Sequence, residues 1–347
     1  MKNSAAEFWS RFFSFPWAKP QGSDLMITNA CNFRCSHCNI WQQSNGQELD
    51  LTNWQKIIFD LRQWLGPNYF LSVGGGEPLL KKDILTILEV LVKNDFRVTL
   101  VTNGYLIDEI MAQKIVSLGI EGIRISLYSF EPQLHNEMRG VADAHQRAKQ
   151  ALEWLATAKK KQNSQLKITV AILVNEKNIS QDALNLIDWA QANDFNILIQ
   201  ALDENFKAET TNQSWPENNP FWPKDQKKIN EFFDQLLKLK KQGVKIENSY
   251  KILNAFRQYF LKPRESVKIP CVLGYRSMNI DPAGKLFFCF ACGATLETLV
   301  DNSARKLWRS GQMQELRKKV KSCSRVCRIR CYYRDNLLDK IKLQIYK

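Results

Sequence analysis

Residues 69–104 read YFLSVGGGEPLLKKDILTILEVLVKNDFRVTLVTNG. Tyr69–Val73 is a short apolar run with the length of one buried strand, ended by Gly74, Gly75 and Gly76. From Lys81 to Asn94 the residues Ile84, Leu85, Leu88, Leu91 and Val92 recur at helical spacing, and Arg97–Val101 is a second apolar run. Strand, helix, strand is the order of a parallel pair joined by a covering helix. The same alternation extends in both directions. Asp24–Thr28 is a strand and Leu51–Leu65 a helix, with Leu51, Trp54, Ile57, Ile58, Leu61 and Leu65 recurring at helical spacing. Helices are predicted over Asp108–Leu118, Asp143–Lys159, Gln181–Asn193 and Asp225–Gln242, and strands over Ile120–Leu127, Leu166–Leu173 and Phe195–Leu202. Right-handed crossovers curl successive units one way. Eight units would close a TIM barrel; six leave a partial, open barrel or a doubly wound sheet. In both, ligands gather at the carboxyl ends of the strands. Cys31–Cys38, Gly74–Glu77, Thr102–Gly104 and Ser126–Ser129 each follow a predicted strand, so all are expected at one rim.

The chain has 347 residues, 44% of them apolar and 24% charged, which excludes a disordered or fibrous protein. No run approaches the ~18 apolar residues of a membrane span, and the N-terminus reads as no secretory signal, so a cytoplasmic protein is expected. The net charge is +14, of which residues 305–347 carry +11, with 14 basic and 3 acidic residues. Such a tail suits nucleic acid, an anionic membrane, a solvated helix face or the surroundings of an anionic metal–thiolate group.

Nine cysteines fall into two groups: Cys31, Cys35 and Cys38, then Cys271, Cys289, Cys292, Cys323, Cys327 and Cys331. An odd number in a chain of this size, without an export signal, points to metal or catalysis rather than disulfides. With only three histidines, His37, His135 and His145, soft thiolate chemistry is expected: zinc or iron–sulfur. Cys31-Asn-Phe-Arg-Cys35-Ser-His-Cys38 places three thiolates in one loop. Three thiolates can hold three irons of a four-iron cube and leave the fourth iron open, where chemistry occurs.

Together these motifs resemble the radical S-adenosylmethionine (radical SAM) enzyme family. Cys31, Cys35 and Cys38 look like its CxxxCxxC motif and Gly75-Gly76-Glu77-Pro78 like its GGEP motif. Thr102-Asn103-Gly104 resembles a TNG turn, Ile125-Ser126-Leu127 the fourth strand with its serine, and Met138-Arg139-Gly140 the following "RG". The resemblance covers residues 24 to about 202 and implies a partial (β/α)6 TIM-like barrel. It implies a [4Fe-4S] cluster whose open iron is chelated by S-adenosylmethionine, reductive cleavage to a 5′-deoxyadenosyl radical, and hydrogen abstraction from substrate. By the same resemblance His37, Gly75, Gly76, Glu77, Asn103, Ser126 and Arg139 contact the cofactor, with Glu77 serving the ammonium side and Arg139 and Ser126 the carboxylate. A one-electron donor such as flavodoxin or ferredoxin is implied as partner. One departure stands out: peptide-modifying relatives often carry Asp-Gly after the fourth strand, where this chain has Tyr128-Ser129.

Cys271, Gly284 and Cys289 resemble the SPASM/twitch extension of a subset of that family, which implies at least one auxiliary [4Fe-4S] cluster. Asn279–Leu286 reads as a hairpin turning at Asp281–Gly284. The simplest count assigns Cys271, Cys289 and two of Cys323, Cys327 and Cys331 to one cluster, with a zinc knuckle at Cys289-x2-Cys292 as the alternative. Cys323, Cys327 and Cys331 would share a face if helical, and Arg325, Arg328, Arg330 and Arg334 would then favour a reduced cluster. The expected organisation is an aromatic arm over 1–23, a barrel over 24–245 and a small cysteine-rich extension over 246–347. The arm, with Phe8, Trp9, Phe12, Phe13, Phe15 and Trp17, is expected to pack across the barrel's open side. The Trp215–Pro223 stretch is either a lid or packing over an edge. Expected substrates are a small molecule or a peptide, through oxidation, crosslinking or epimerisation. Modification of nucleic acid by the same chemistry and a zinc-stabilised, non-catalytic module are the alternatives.

Overall fold

A computed structural model describes residues 9–10, 15–43, 46–204, 214–268 and 271–328. Six strands, β1 (Gly22–Thr28), β2 (Phe70–Gly75), β3 (Arg97–Thr102), β4 (Gly122–Ser126), β5 (Lys167–Val174) and β6 (Asn196–Ala201), pair parallel, each with the next. A doubly wound sheet must reverse its strand order at a switch point. Here β1 to β6 run in sequence without reversal, which selects the partial barrel. Beyond β6 the chain at 245–248 covers the edge: Ile197 N donates to Lys245 O, and Asn248 Oδ1 accepts from Ile199 N at 2.7 Å.

Alternate strand residues face the helices. Leu71, Val73, Val98, Leu100, Ile123, Ile125, Val170, Ile172, Ile197 and Ile199 are fully buried, against Trp54, Ile57, Leu61, Leu88, Ile115, Leu152 and Leu186. Each such side chain contributes roughly 1.5–3 kcal/mol of burial. Aspartate side chains cap three of the helices by hydrogen bond: Asp50 caps Leu51–Leu65, Asp108 caps Glu109–Ser117 and Asp225 caps Gln226–Lys241. A helix that the periodicity does not show, Pro132–Arg139, follows β4 and ends at Gly140, whose φ is +67°. Its few apolar residues leave no stripe to read. β2 also continues through Gly74 and Gly75 instead of ending before them, because these glycines pair with Met26 and Thr28 of β1.

The hairpin around Asp281–Gly284 forms as expected. β7 (Asn279–Ile280) and β8 (Lys285–Phe287) are antiparallel, and Asp281 Oδ1 accepts from Ala283 N and Lys285 N. Together with β9 (Ala294–Thr298) they extend the barrel sheet beyond β1, through the pairing of Leu25 with Ile280. The described part of the arm does not cross the barrel's open side. It lies between helix Leu51–Leu65 and helix Ala304–Trp308, where Trp308 Nε1 donates to Ala18 O and Ala18 N to Ser10 Oγ. Trp215 and Trp222 are buried, Trp222 edge-on to Tyr259 and Phe260, so the described part of that loop packs over the structure. No described helix is long and apolar enough to cross a membrane.

At the amino ends of β3, β4 and β5, Glu121 accepts from Arg97 Nε at 2.7 Å, Arg97 Nη2 at 2.8 Å and Lys167 Nζ at 2.9 Å. The Arg97 hydrogen bond leads in pulling its carboxyl from 4.5 down to about 2. The folded value lies below the unfolded one, so this stabilisation is present above pH 4.5 and disappears as the pH falls toward 2. Solvent screens the network and limits it to about 0.5–1 kcal/mol. Glu121→Gln should therefore lower the urea midpoint at pH 7, and the gap should close near pH 2. A gap independent of pH would contradict this origin.

Candidate active site

The loop after β1 carries Cys31, Cys35 and Cys38, and two clamps hold it. On one side Gly76 N donates to Thr28 O and Glu77 N to Ala30 O, both at 2.8 Å. On the other, the carboxyl end of helix Pro132–Arg139 accepts from the loop: Arg34 N donates to Arg139 O and Ser36 N to Met138 O. These clamps explain the glycines. A Cβ on Gly75 would lie 2.3 Å from Thr28 O, one on Gly76 2.2 Å from Ala30 O, and one on Gly140 2.6 Å from Arg34 O. The resemblance implies that Gly75 and Gly76 contact the cofactor; the space their missing side chains leave goes first to the cysteine loop itself.

Cys31, Cys35 and Cys38 line one cavity of about 160 Å³, together with His37, Gly75, Gly76, Asn103, Ser126 and Arg139. The rim expected from the strand ends is thus assembled. Glu77 lies beneath it, fully buried. Its carboxylate accepts from Thr102 Oγ1 (2.7 Å), Asn103 N (2.8 Å) and Leu79 N (3.1 Å), which ties β2 to the turn after β3. Asn103 holds that turn through Tyr105 N and reaches the cysteine loop, its Nδ2 donating to Asn32 Oδ1 at 2.8 Å. Arg139 is buried between the rings of Phe33 and Tyr128, at 4.9 and 4.8 Å, and its Nη1 donates to Tyr128 Oη at 2.8 Å. Ser126 stands beside the same phenol. Phe33, Ile40, Trp41, Val101, Thr102 and Tyr128 complete the lining, and the sequence assigns them no role. The available signals were an aromatic residue inside the cysteine motif and Tyr128 at the position that departs from the Asp-Gly pattern.

Burial pushes the Cys31 thiol up to about 11 and raises Cys38 as well. The same desolvation, with Arg139 nearby, pulls His37 down to about 3, so its imidazole is neutral. Thiolates here require positive charge close by, which metal ions supply on binding. Among the residues lining the cavity, two have a buried polar atom without a hydrogen-bond partner, Arg139 Nε and His37 Nδ1. Three thiols lining one cavity and a guanidinium with unused donor capacity fit a thiolate-held cluster plus a ligand bearing a carboxylate.

In the second group, Cys289 and Cys292 flank the turn from β8 to β9, and the Cys292 thiol hydrogen-bonds to both Cys289 and Cys323. Sharing protons with these neighbours pushes Cys292 up and Cys289 down. Cys292, set aside in the simplest count, is therefore inside the group. Cys323 and Cys327 lie in irregular chain after helix Gly311–Lys321, not on a shared helical face. Cys331 falls outside the described residues, as do Arg330 and Arg334. Arg325 and Arg328 turn to the barrel: Arg325 pairs with Glu204 at 2.7 Å and Arg328 with Asp203 at 3.6 Å. These pairs fasten the segment just beyond the end of β6, and Trp215 Nε1 donates to Val326 O. Between the two groups, Phe287 packs with Met26 and Ile40 against Cys38.

A model of the radical SAM superfamily matches residues 25–190, and a model of an iron–sulfur cluster-binding domain, SPASM, matches residues 271–332. Among curated proteins, a probable GTP 3′,8-cyclase of Sulfurisphaera tokodaii is 30% identical over 173 residues, 48% of this chain and 50% of its own length. PqqA peptide cyclase of Granulibacter bethesdensis is 23% identical over 175 residues, 50% of this chain and 44% of its own. The chain spans half or less of the length of these relatives. Among solved structures, anSMEcpe with bound AdoMet and a Cp18Cys peptide superposes with a TM-score of 0.65 at 15% identity, covering 94% of this chain and 98% of that one. At that identity the likeness is one of fold.

Proposed function

The chain belongs to the radical SAM superfamily and carries a SPASM iron–sulfur domain, and from that premise we propose that it abstracts hydrogen from a peptide substrate. Cys31, Cys35 and Cys38 would hold the [4Fe-4S] cluster that takes S-adenosylmethionine, and the C-terminal cysteines at least one auxiliary [4Fe-4S] cluster. When bound, the cluster and S-adenosylmethionine supply one-electron reductive homolysis; the protein supplies placement and the exclusion of water. Arg139, gripped by two rings and by Tyr128, presents its remaining donors to a carboxylate in fixed orientation. Glu77 keeps the Thr102–Gly104 turn against the cavity, and Asn103 holds that turn to the cysteine loop. Phe33, Trp41 and Tyr128 wall the cavity against solvent.

The observation that carries this reading is the set of unpartnered buried atoms, Arg139 Nε and His37 Nδ1, in the three-cysteine cavity. A peptide substrate is supported by relatives that match both the barrel and the extension, since anSMEcpe is seen with a bound peptide, and by the PqqA peptide cyclase similarity. Anaerobic reconstitution with iron and sulfide, followed by assay for 5′-deoxyadenosine, tests it. With dithionite as reductant, Cys35→Ala should lose S-adenosylmethionine cleavage, whereas Cys271→Ala should cleave without turning over substrate. Cleavage surviving in Cys35→Ala would overturn the assignment of the first group, and substrate turnover surviving in Cys271→Ala that of the second.

A further inference from the structure

We propose that the groove between helix Leu51–Leu65 and helix Ala304–Trp308 docks an acidic one-electron donor protein, and that its electron tunnels along the packing of Trp308 and Phe288 toward Cys289. The proposal rests on the radical SAM reading, which requires an external electron.

The groove has a volume of about 540 Å³, and Trp17, Trp64 and Trp308 line it with Lys19, Arg305 and Arg309. Its charge is predominantly positive. Its lining carries three basic residues, Lys19, Arg305 and Arg309, and one acid, Asp60. Asp60, the acid of the groove, is occupied in accepting from Ala304 N at the start of helix Ala304–Trp308. Arg305 and Arg309 stand one helical turn apart, exposed, and neither makes an ion pair among the described residues. They serve no visible structural purpose. Trp17, 46% exposed, offers an aromatic surface at the rim. A basic rim around aromatic rings complements an acidic protein with a flavin edge at its surface, and unpaired charges of this kind raise association rates.

The floor of the groove leads inward. Trp64 and Trp308 have ring centroids 6.3 Å apart, and Trp308 and Phe288 5.7 Å. Phe288 adjoins Cys289 in the chain, within the second cysteine group. Arg317 fixes this path: its guanidinium lies 4.4 Å from the Trp308 ring and 5.2 Å from Phe288, and it donates to Trp308 O and Gly274 O. Contiguous rings thus connect the docking surface to the cysteines. In the step, the reduced flavin of the donor would lose one electron and the iron–sulfur cluster that the second cysteine group would hold would gain it, by tunnelling through the packed rings of Trp308 and Phe288, neither of which is itself reduced; no proton passes through this protein.

The test compares two reductants on the reconstituted enzyme: reduced flavodoxin and dithionite, which needs no docking site. In Arg305→Glu/Arg309→Glu, flavodoxin-driven 5′-deoxyadenosine formation should fall about tenfold or more at low salt and lose most of its salt dependence. Dithionite-driven formation should match the unmodified enzyme, and Arg305→Gln/Arg309→Gln should fall between. Phe288→Leu should slow flavodoxin-driven reduction while leaving its salt dependence intact. Unchanged flavodoxin-driven formation in the double variant would overturn the docking site, as would equal loss with both reductants. So would loss of RNA binding with flavodoxin-driven turnover intact, which would assign the patch to nucleic acid. An unchanged reduction rate in Phe288→Leu would overturn the relay. If the unmodified enzyme formed no 5′-deoxyadenosine even with dithionite, the radical SAM reading itself would fail.

Discussion

Gly76→Ala is expected to cost the protein its first iron–sulfur site while the rest of the barrel still folds. The added Cβ would meet Ala30 O at 2.2 Å and Asn29 O at 2.7 Å, and both are backbone atoms that cannot swing aside. Relief requires moving the chain just before Cys31, and with it the hydrogen bonds from Gly76 N to Thr28 O and from Glu77 N to Ala30 O. Overpacking of this kind costs roughly 1–3 kcal/mol, and a displacement of about 1 Å at a reacting centre costs about 10²-fold in rate. We expect a lower melting temperature, iron content after reconstitution below that of the unmodified protein by the share of the first cluster, and 5′-deoxyadenosine formation at background. Gly311→Ala is the control. A Cβ there meets nothing within 4 Å, and the helix begins at that residue. It should leave iron content unchanged and add up to about 1 kcal/mol of stability. Normal iron content in Gly76→Ala would show that the loop yields at little cost.

Arg139→Lys should be nearly as damaging to cofactor binding as complete removal of the side chain. Arginine is held here by geometry: a flat group between Phe33 and Tyr128, anchored by Tyr128 Oη, with Nε still unpartnered. An ammonium has neither the plane nor the fork and is more strongly hydrated, so its burial is dearer. Leaving the partners of a buried, hydrogen-bonded charge unmatched costs about 2–5 kcal/mol. The expected result is S-adenosylmethionine binding weakened about 10²-fold or more by equilibrium dialysis against the reconstituted protein, with iron content unchanged. Binding within a few-fold of normal would mean that Arg139 supports the loop rather than the cofactor.

The strands were legible because each is a short apolar run, and the carboxyl-end rim followed from their order. The glycines were legible too, but their cause was not. The sequence does not display what lies opposite Gly76 across a parallel pair, and the neighbour proved to be Ala30. Glu77 and Asn103 read as cofactor contacts because they stand in recognisable motifs. Their protein partners, Thr102, Leu79 and Asn32, appear only once β2 and β3 lie side by side. Helix Pro132–Arg139 was missed because only Leu134 and Met138 are apolar in eight residues. The spacing of Cys323 and Cys327 imitates a helix but belongs to a loop, and Arg325 finds Glu204 121 positions away. No local pattern encodes such a pairing.

The most direct test is electron paramagnetic resonance of the anaerobically reduced protein, with and without S-adenosylmethionine carrying ¹⁵N in its amino group. The Cys271→Ala variant would be used to isolate the first cluster. We expect a four-iron signal that shifts on addition of the labelled compound and shows coupling to its nitrogen, with both effects absent in Cys35→Ala. A four-iron signal indifferent to S-adenosylmethionine, or one that persists unchanged in Cys35→Ala, would contradict a cluster held at Cys31, Cys35 and Cys38 with one iron open to that ligand.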